Sequence, residues 1–138
     1  MKLKVLTQNM WLFLFPISID HKKRIRRLAT KINELKPEFI ALQEFFYKND
    51  INYLLKQIDN YYFIHEVGLT NKSGLLTLTK HKPGNINFIN FDKNELNFPE
   101  NLTSKGLLIT EFKIKNKKFK FINTHFNFHK NNVLRKKY

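Results

Sequence analysis

Apolar positions along the chain change their period, and each change marks an element. Residues 3–10, LKVLTQNM, alternate like a β-strand, whereas 21–36, HKKRIRRLATKINELK, place Ile25, Leu28, Ala29, Ile32 and Leu35 on one helical stripe. Asp20 stands where it can cap that helix, and Lys36-Pro37 where the helix must end. EFIALQE, 38–44, is apolar at both parities, the pattern of a central strand covered on two faces. Strand, helix, strand at this spacing is a βαβ unit, with parallel strands and a right-handed crossover. If the two strands are neighbours they lie about 4.8 Å apart. Asn9 and Glu44 then meet at the carboxyl edge of the sheet, where open α/β sheets gather their ligand sites.

A short helix follows at 50–58, DINYLLKQI, and the remainder is rich in strands. YYFIHEV (61–67), GLLTLTK (74–80), NINFINF (85–91), KGLLITEFKI (105–114) and KKFKFINTHF (117–126) are separated by turn signals at Gly68, Gly74, Pro83, Gly84, Pro99 and Gly106. KIKNKKFK, 113–120, reads as a hairpin with Asn116 at its tip. No repeat, linker or low-complexity tract interrupts the chain, so 1–138 reads as a single α/β domain.

The strands end alike. In FKFINTHF, alternation puts Phe119, Phe121, Asn123 and His125 on one face, so that an apolar row gives way to Asn and His. LTQNM ends similarly on Asn9, and ALQEF on Glu44. One such ending is ordinarily a solvated terminus or a satisfied hydrogen bond; its recurrence on several strands points to a functional edge.

Composition sharpens the choice of partner. Twenty-five Lys and Arg against eleven Asp and Glu give a net charge of +14, which favours nucleic acid, lipid headgroups or small phosphate esters, although a Lys- and Asn-rich coding bias would produce the same balance. The cluster HKKRIRR, 21–27, falls on the wet face of the first helix, where a solvated role suffices. The absence of cysteine excludes disulfides and thiolate metal sites and suits a reducing compartment, so an intracellular, cytoplasmic location is expected. The apolar run from Met10 to Ile17 is short, follows Gln8-Asn9 and lacks a small-residue cleavage site, which argues against a signal peptide. No stretch is long enough for a transmembrane helix.

TQNMW near the start, KPEFIALQE, SGLLTLTK, the KGLL strand opening and FINTHF occur in an order that resembles the endonuclease/exonuclease/phosphatase superfamily, the DNase I-like fold shared with abasic-site endonucleases, inositol-phosphate phosphatases and neutral sphingomyelinases. The resemblance implies the N-terminal half of a four-layer α/β/β/α sandwich, here mostly one mixed sheet with flanking helices. It also implies a phosphoesterase that hydrolyses phosphodiester or phosphomonoester bonds with Mg2+ or Mn2+. By the same resemblance Glu44 holds the metal, Asn9 orients the metal or the scissile phosphate, His125 donates to a nonbridging phosphate oxygen, and Asn123 assists nearby. Such roles suit a hard cation that keeps several waters and a reaction that chiefly needs charge neutralised and groups held in line.

The superfamily's later motifs, GDxN and SDH, are absent from the 138 residues, and with them the carboxylate that activates water. Relatives follow NTH with an Arg-containing helix, for which Arg135 is the candidate. A truncated or split phosphoesterase is therefore expected, its inner sheet face (Phe119, Phe121, Leu107, Ile109) lacking a partner layer unless another chain supplies the missing sheet. The rival expectation is a noncatalytic half-domain that binds nucleic acid or an anionic surface, or one half of a two-chain enzyme. His125 and His129 have helical metal-pair spacing without the Glu of a zinc motif, and extended they lie about 13 Å apart, so zinc is discounted. His21, His65 and His81 read as isolated surface residues, and Trp11 as a core aromatic.

Overall fold

The computed structural model describes residues 2–13, 18–65, 71–91 and 103–126. Its elements run β1 (Val5–Leu12), α1 (His21–Leu35), β2 (Phe39–Phe45), α2 (Lys48–Leu55), β3 (Tyr62–His65), β4 (Leu76–Thr79), β5 (Ile86–Asn90), β6 (Gly106–Ile114) and β7 (Lys117–Thr124). His129 and Arg135 lie outside the described residues.

The βαβ unit forms as its periodicity requires. β1 and β2 pair in parallel from Val5 with Phe39 to Asn9 with Gln43. In α1 the stripe Ile25, Leu28, Ala29 and Ile32 is buried, while Leu35, in the last turn, emerges into solvent. Lys36 closes the helix in the left-handed region, its N–H donating to Ile32 O at 2.8 Å. Asp20 does occupy the cap position, but without a side-chain bond: its backbone is left-handed, and it is its carbonyl that receives Arg24 N–H at 3.0 Å.

The strands divide between two sheets, where the sequence suggested mostly one. The first has the order β1-β2-β4-β3 and the second β5-β6-β7. β2 feeds both of its faces, which is why its sequence is apolar at both parities. Ile40 and Leu42 join Met10, Leu12, Ile25, Ile32, Leu54 and Leu78 in a core beneath the helices. Phe39, of opposite parity, enters a second core with Ile64, Leu75, Leu108 and Phe112 between the sheets. Its ring meets Phe112 edge-on at 4.9 Å and stacks on Phe121 at 5.1 Å.

The expectation of an uncovered inner face is thereby corrected. Phe119 and Phe121 pack against the inter-sheet core. Pairing Ile109 with Ile122 and Leu107 with Thr124 puts Leu107 and Ile109 on the opposite, outer face of the second sheet. No helix among the described residues is long and apolar enough to cross a membrane.

Candidate functional site

The edge predicted from strand endings is a real cluster, and local backbone distortion creates it. An undisturbed β2 would send Glu44 to the same face as Ile40 and Leu42, into the apolar core. Instead Glu44 adopts φ 58° and Trp11, across the ladder, φ 50°. The β1–β2 register slips between Asn9 and Leu12, so that two β1 residues oppose one on β2. Left-handed backbone costs a non-glycine residue about 1–2 kcal/mol. Here it turns a carboxylate out of the core and onto the polar edge.

Asn9 Nδ2 donates to Glu44 Oε1 at 2.8 Å, while Asn9 Oδ1 accepts the Trp11 backbone N–H at 2.9 Å. The backbone donor fixes which way the amide points, since only the oxygen can accept it. Asn9 is therefore placed to orient Glu44. His125 follows β7 directly, and its Nε2 lies 3.6 Å from Glu44 Oε1 and 3.5 Å from Asn9 Nδ2. Burial chiefly, then Lys105, lowers the pKa of His125 below the ordinary histidine value, with Glu44 pulling the other way.

Asn123 sits deeper than its neighbours. It is fully buried, donating to Leu42 O at 3.1 Å and Leu76 O at 3.2 Å and accepting from Gln43 Nε2 at 2.9 Å. It thus ties β7 to β2 and β4 just below the cluster, and its contribution to the edge is made through that tie.

Lys105 went unassigned in the sequence. It is 7 % exposed, and its Nζ lies 2.7 Å from His125 Nδ1. The signal was available in SKGLL, a lysine immediately before a strand, but a buried end for so polar a side chain is not readable from alternation. Nearby, Arg24, Arg27 and Lys31 on α1 line a groove whose other wall is Leu6, Thr7, Gln8 and Asn9 of β1. Trp11 is half exposed rather than a core aromatic, with the Arg24 guanidinium 4.7 Å above its ring. His21 is not isolated either: its Nδ1 pairs with Asp50 Oδ2 at 2.8 Å, linking the starts of the two helices. His81 stacks on Phe39 at 5.3 Å.

The donor set fits a hard divalent cation. Among the described residues Glu44 Oε2 accepts no hydrogen bond, which leaves one carboxylate oxygen available beside an amide that holds the other. One carboxylate with several waters suits Mg2+. Among the described residues no three His, Cys, Asp or Glu converge as a closed metal cage would need.

Residues 5–138 match the family model described as Endonuclease/Exonuclease/phosphatase family 2. Comparison with curated proteins by sequence finds no match. Among solved structures, sphingomyelinase C from Streptomyces griseocarneus is 21 % identical with a TM-score of 0.74, covering 89 % of this chain and 48 % of its own. TDP2 of D. rerio, humanized by 14 mutations, is 17 % identical at TM-score 0.70, covering 96 % of this chain and 50 % of its own. A double mutant of beta toxin from Staphylococcus aureus with bound magnesium ions is 16 % identical at TM-score 0.74, covering 91 % and 49 %. The chain thus has their fold and spans about half their length.

Proposed function

The chain belongs to the endonuclease/exonuclease/phosphatase family, and from that premise we propose that it forms the metal- and phosphate-binding edge of a phosphoesterase dependent on Mg2+ or Mn2+. The observation that carries this reading is the convergence of Asn9, Glu44 and His125 within 2.8–3.6 Å, from strand ends distant in sequence. Glu44 would hold the cation through Oε2, with Asn9 fixing the carboxylate by its bond to Oε1. His125 would donate to a nonbridging phosphate oxygen, and Asn123 would hold β7 so that His125 reaches it. When bound, the cation would supply charge neutralisation at the phosphoryl oxygens.

The basic groove beside Asn9 suits a phosphate-bearing substrate: nucleic acid, phospholipid or a small phosphate ester. The names of similar structures, a sphingomyelinase among them, support this class of substrate without choosing within it. The water-activating carboxylate would come from polypeptide beyond these residues, in the same chain or a partner. We propose an intracellular location, which a chain without cysteine suits.

Two measurements test the reading. Mn2+ binding followed by EPR should weaken at least about tenfold in Glu44→Gln, since even the loss of a partner that merely orients a metal ligand costs about 10–100-fold. Mg2+-dependent hydrolysis of bis-p-nitrophenyl phosphate, in the chain or in whatever complex it purifies with, should disappear in the same variant. The net charge of +14 favours one other reading, a noncatalytic anion binder. Salt-sensitive binding without turnover, unchanged in Glu44→Gln along with Mn2+ affinity, would establish that reading instead.

A further inference from the structure

We propose that Lys105 is a positioning residue that sets the tautomer of His125, so that the ring presents an N–H at the phosphate-binding edge. An ammonium has three donors and no acceptor. In the 2.7 Å contact between Lys105 Nζ and His125 Nδ1, the ring nitrogen must therefore accept. A neutral imidazole that accepts at Nδ1 carries its proton at Nε2. That nitrogen is the one facing Glu44 Oε1 at 3.6 Å and Asn9 Nδ2 at 3.5 Å.

The consequence is specific. Two N–H groups do not bond to each other, so Asn9 Nδ2 and His125 Nε2 stand as two donors converging on one anionic oxygen. In this structure that oxygen is Glu44 Oε1; a phosphate oxygen arriving at the same edge would meet the same His125 donor. The opposite tautomer would turn a lone pair toward an anion and repel it. Among the described residues, Lys105 is the group that hydrogen-bonds to Nδ1 and so enforces the choice.

The fold holds Lys105 where this requires. Its carbonyl accepts Phe91 N–H at 2.8 Å, and the preceding Ser104 N–H donates to Lys72 O at 3.0 Å. Thr124 Oγ1 donates to Gly106 O at 2.9 Å, so the residues flanking Lys105 and His125 are joined across the β6–β7 rung. Burying a cation is costly unless its donors are satisfied, and at this position one donor is spent on an imidazole nitrogen.

The test reads the tautomer directly. In the 15N-labelled full chain at mildly alkaline pH, long-range 1H–15N correlation of the imidazoles should show His125 protonated at Nε2 and bare at Nδ1, the signals being assigned by their loss in His125→Gln. Lys105→Met should shift His125 toward the Nδ1–H form, and Lys105→Arg, which keeps a donor, should restore the wild-type pattern. Wild-type His125 protonated at Nδ1, or an unchanged tautomer in folded Lys105→Met, would overturn the proposal. If the methionine variant unfolds, Lys105→Leu, which also lacks a donor, takes its place in the same measurement with the same two outcomes.

The effect on turnover rests on the phosphoesterase reading, whereas the tautomer does not, so the two can fail separately. Where hydrolysis is measured, Lys105→Met should lower kcat about 10–100-fold, the scale for losing a partner that orients a ligating or donating group. A rise in KM at unchanged kcat would instead make Lys105 a simple phosphate-binding cation and contradict the positioning role.

Discussion

Glu44 occupies backbone that ordinary side chains avoid, and the edge exists because of it. The polar strand endings at Asn9, Glu44 and His125 were legible in the sequence. The left-handed turn that reverses Glu44 was not, because alternation assumes regular φ and ψ. Asn123 shares its strand face with His125 yet is structural in its contacts, and its loss has a calculable cost. Asn123→Ala leaves Leu42 O and Leu76 O without that donor in a dry environment, and each such loss costs about 1–3 kcal/mol. Urea denaturation should show a destabilisation of about 3 kcal/mol; a value near zero would show the tie to be dispensable. His125 carries a pH signature. Its folded pKa lies below the unfolded value of 6.5, burial being the larger cause and Lys105 the next. The unfolded chain therefore takes up this proton first, so the stability contributed by the neutral ring is complete above that value and lost as pH falls through the folded pKa. Denaturation midpoints followed against pH should show the wild type losing stability on acidification more steeply than His125→Gln. Parallel profiles would remove His125 as the group responsible.

β2 carries the architecture of the elements around it, since its two parities build two cores. Phe39, 1 % exposed, is the main aromatic link from the first sheet to the second, touching Phe112, Phe119 and Phe121. Phe39→Ala should cost about 3–5 kcal/mol, the range for emptying a buried aromatic site. Because the loss separates the sheets, it should also displace His125 from Glu44 and weaken Mn2+ binding. A variant destabilised to that degree with intact Mn2+ affinity would show that the edge forms without inter-sheet packing. Periodicity identified β2 as covered on both faces and α1 by its stripe, and placed the parallel pair correctly. It did not show that β5–β7 leave the first sheet, because a strand's own pattern reports how many faces are buried and not which neighbour covers them. Gly106 illustrates that limit: a Cβ there would stand 2.2 Å from Ile89 O, a restriction imposed by β5 and invisible in KGLL itself.

At the scale of the whole molecule, the described residues cover one face of the second sheet and leave apolar side chains exposed on the other. Ile89 is 46 % and Ile122 51 % exposed, with half-buried Leu107 and Ile109 between them on the same outer face. The chain spans about half the length of the structures that share its fold. Contiguous apolar surface of this kind favours association, each large side chain gaining about 1.5–3 kcal/mol on full burial. The net charge of +14 opposes it by mutual repulsion, most strongly at low salt. These two forces scale differently with ionic strength, which gives a discriminating expectation. Light scattering should find increasing association as salt rises and screens the cations, and Ile89→Lys with Ile122→Lys should hold the chain monomeric across the same range. A wild-type chain that stays monomeric at high salt would mean that this face is not adhesive. Association that survives both substitutions would move the contact elsewhere, with the exposed β1 edge, where Val5 is 55 % and Trp11 48 % accessible, the next surface to alter.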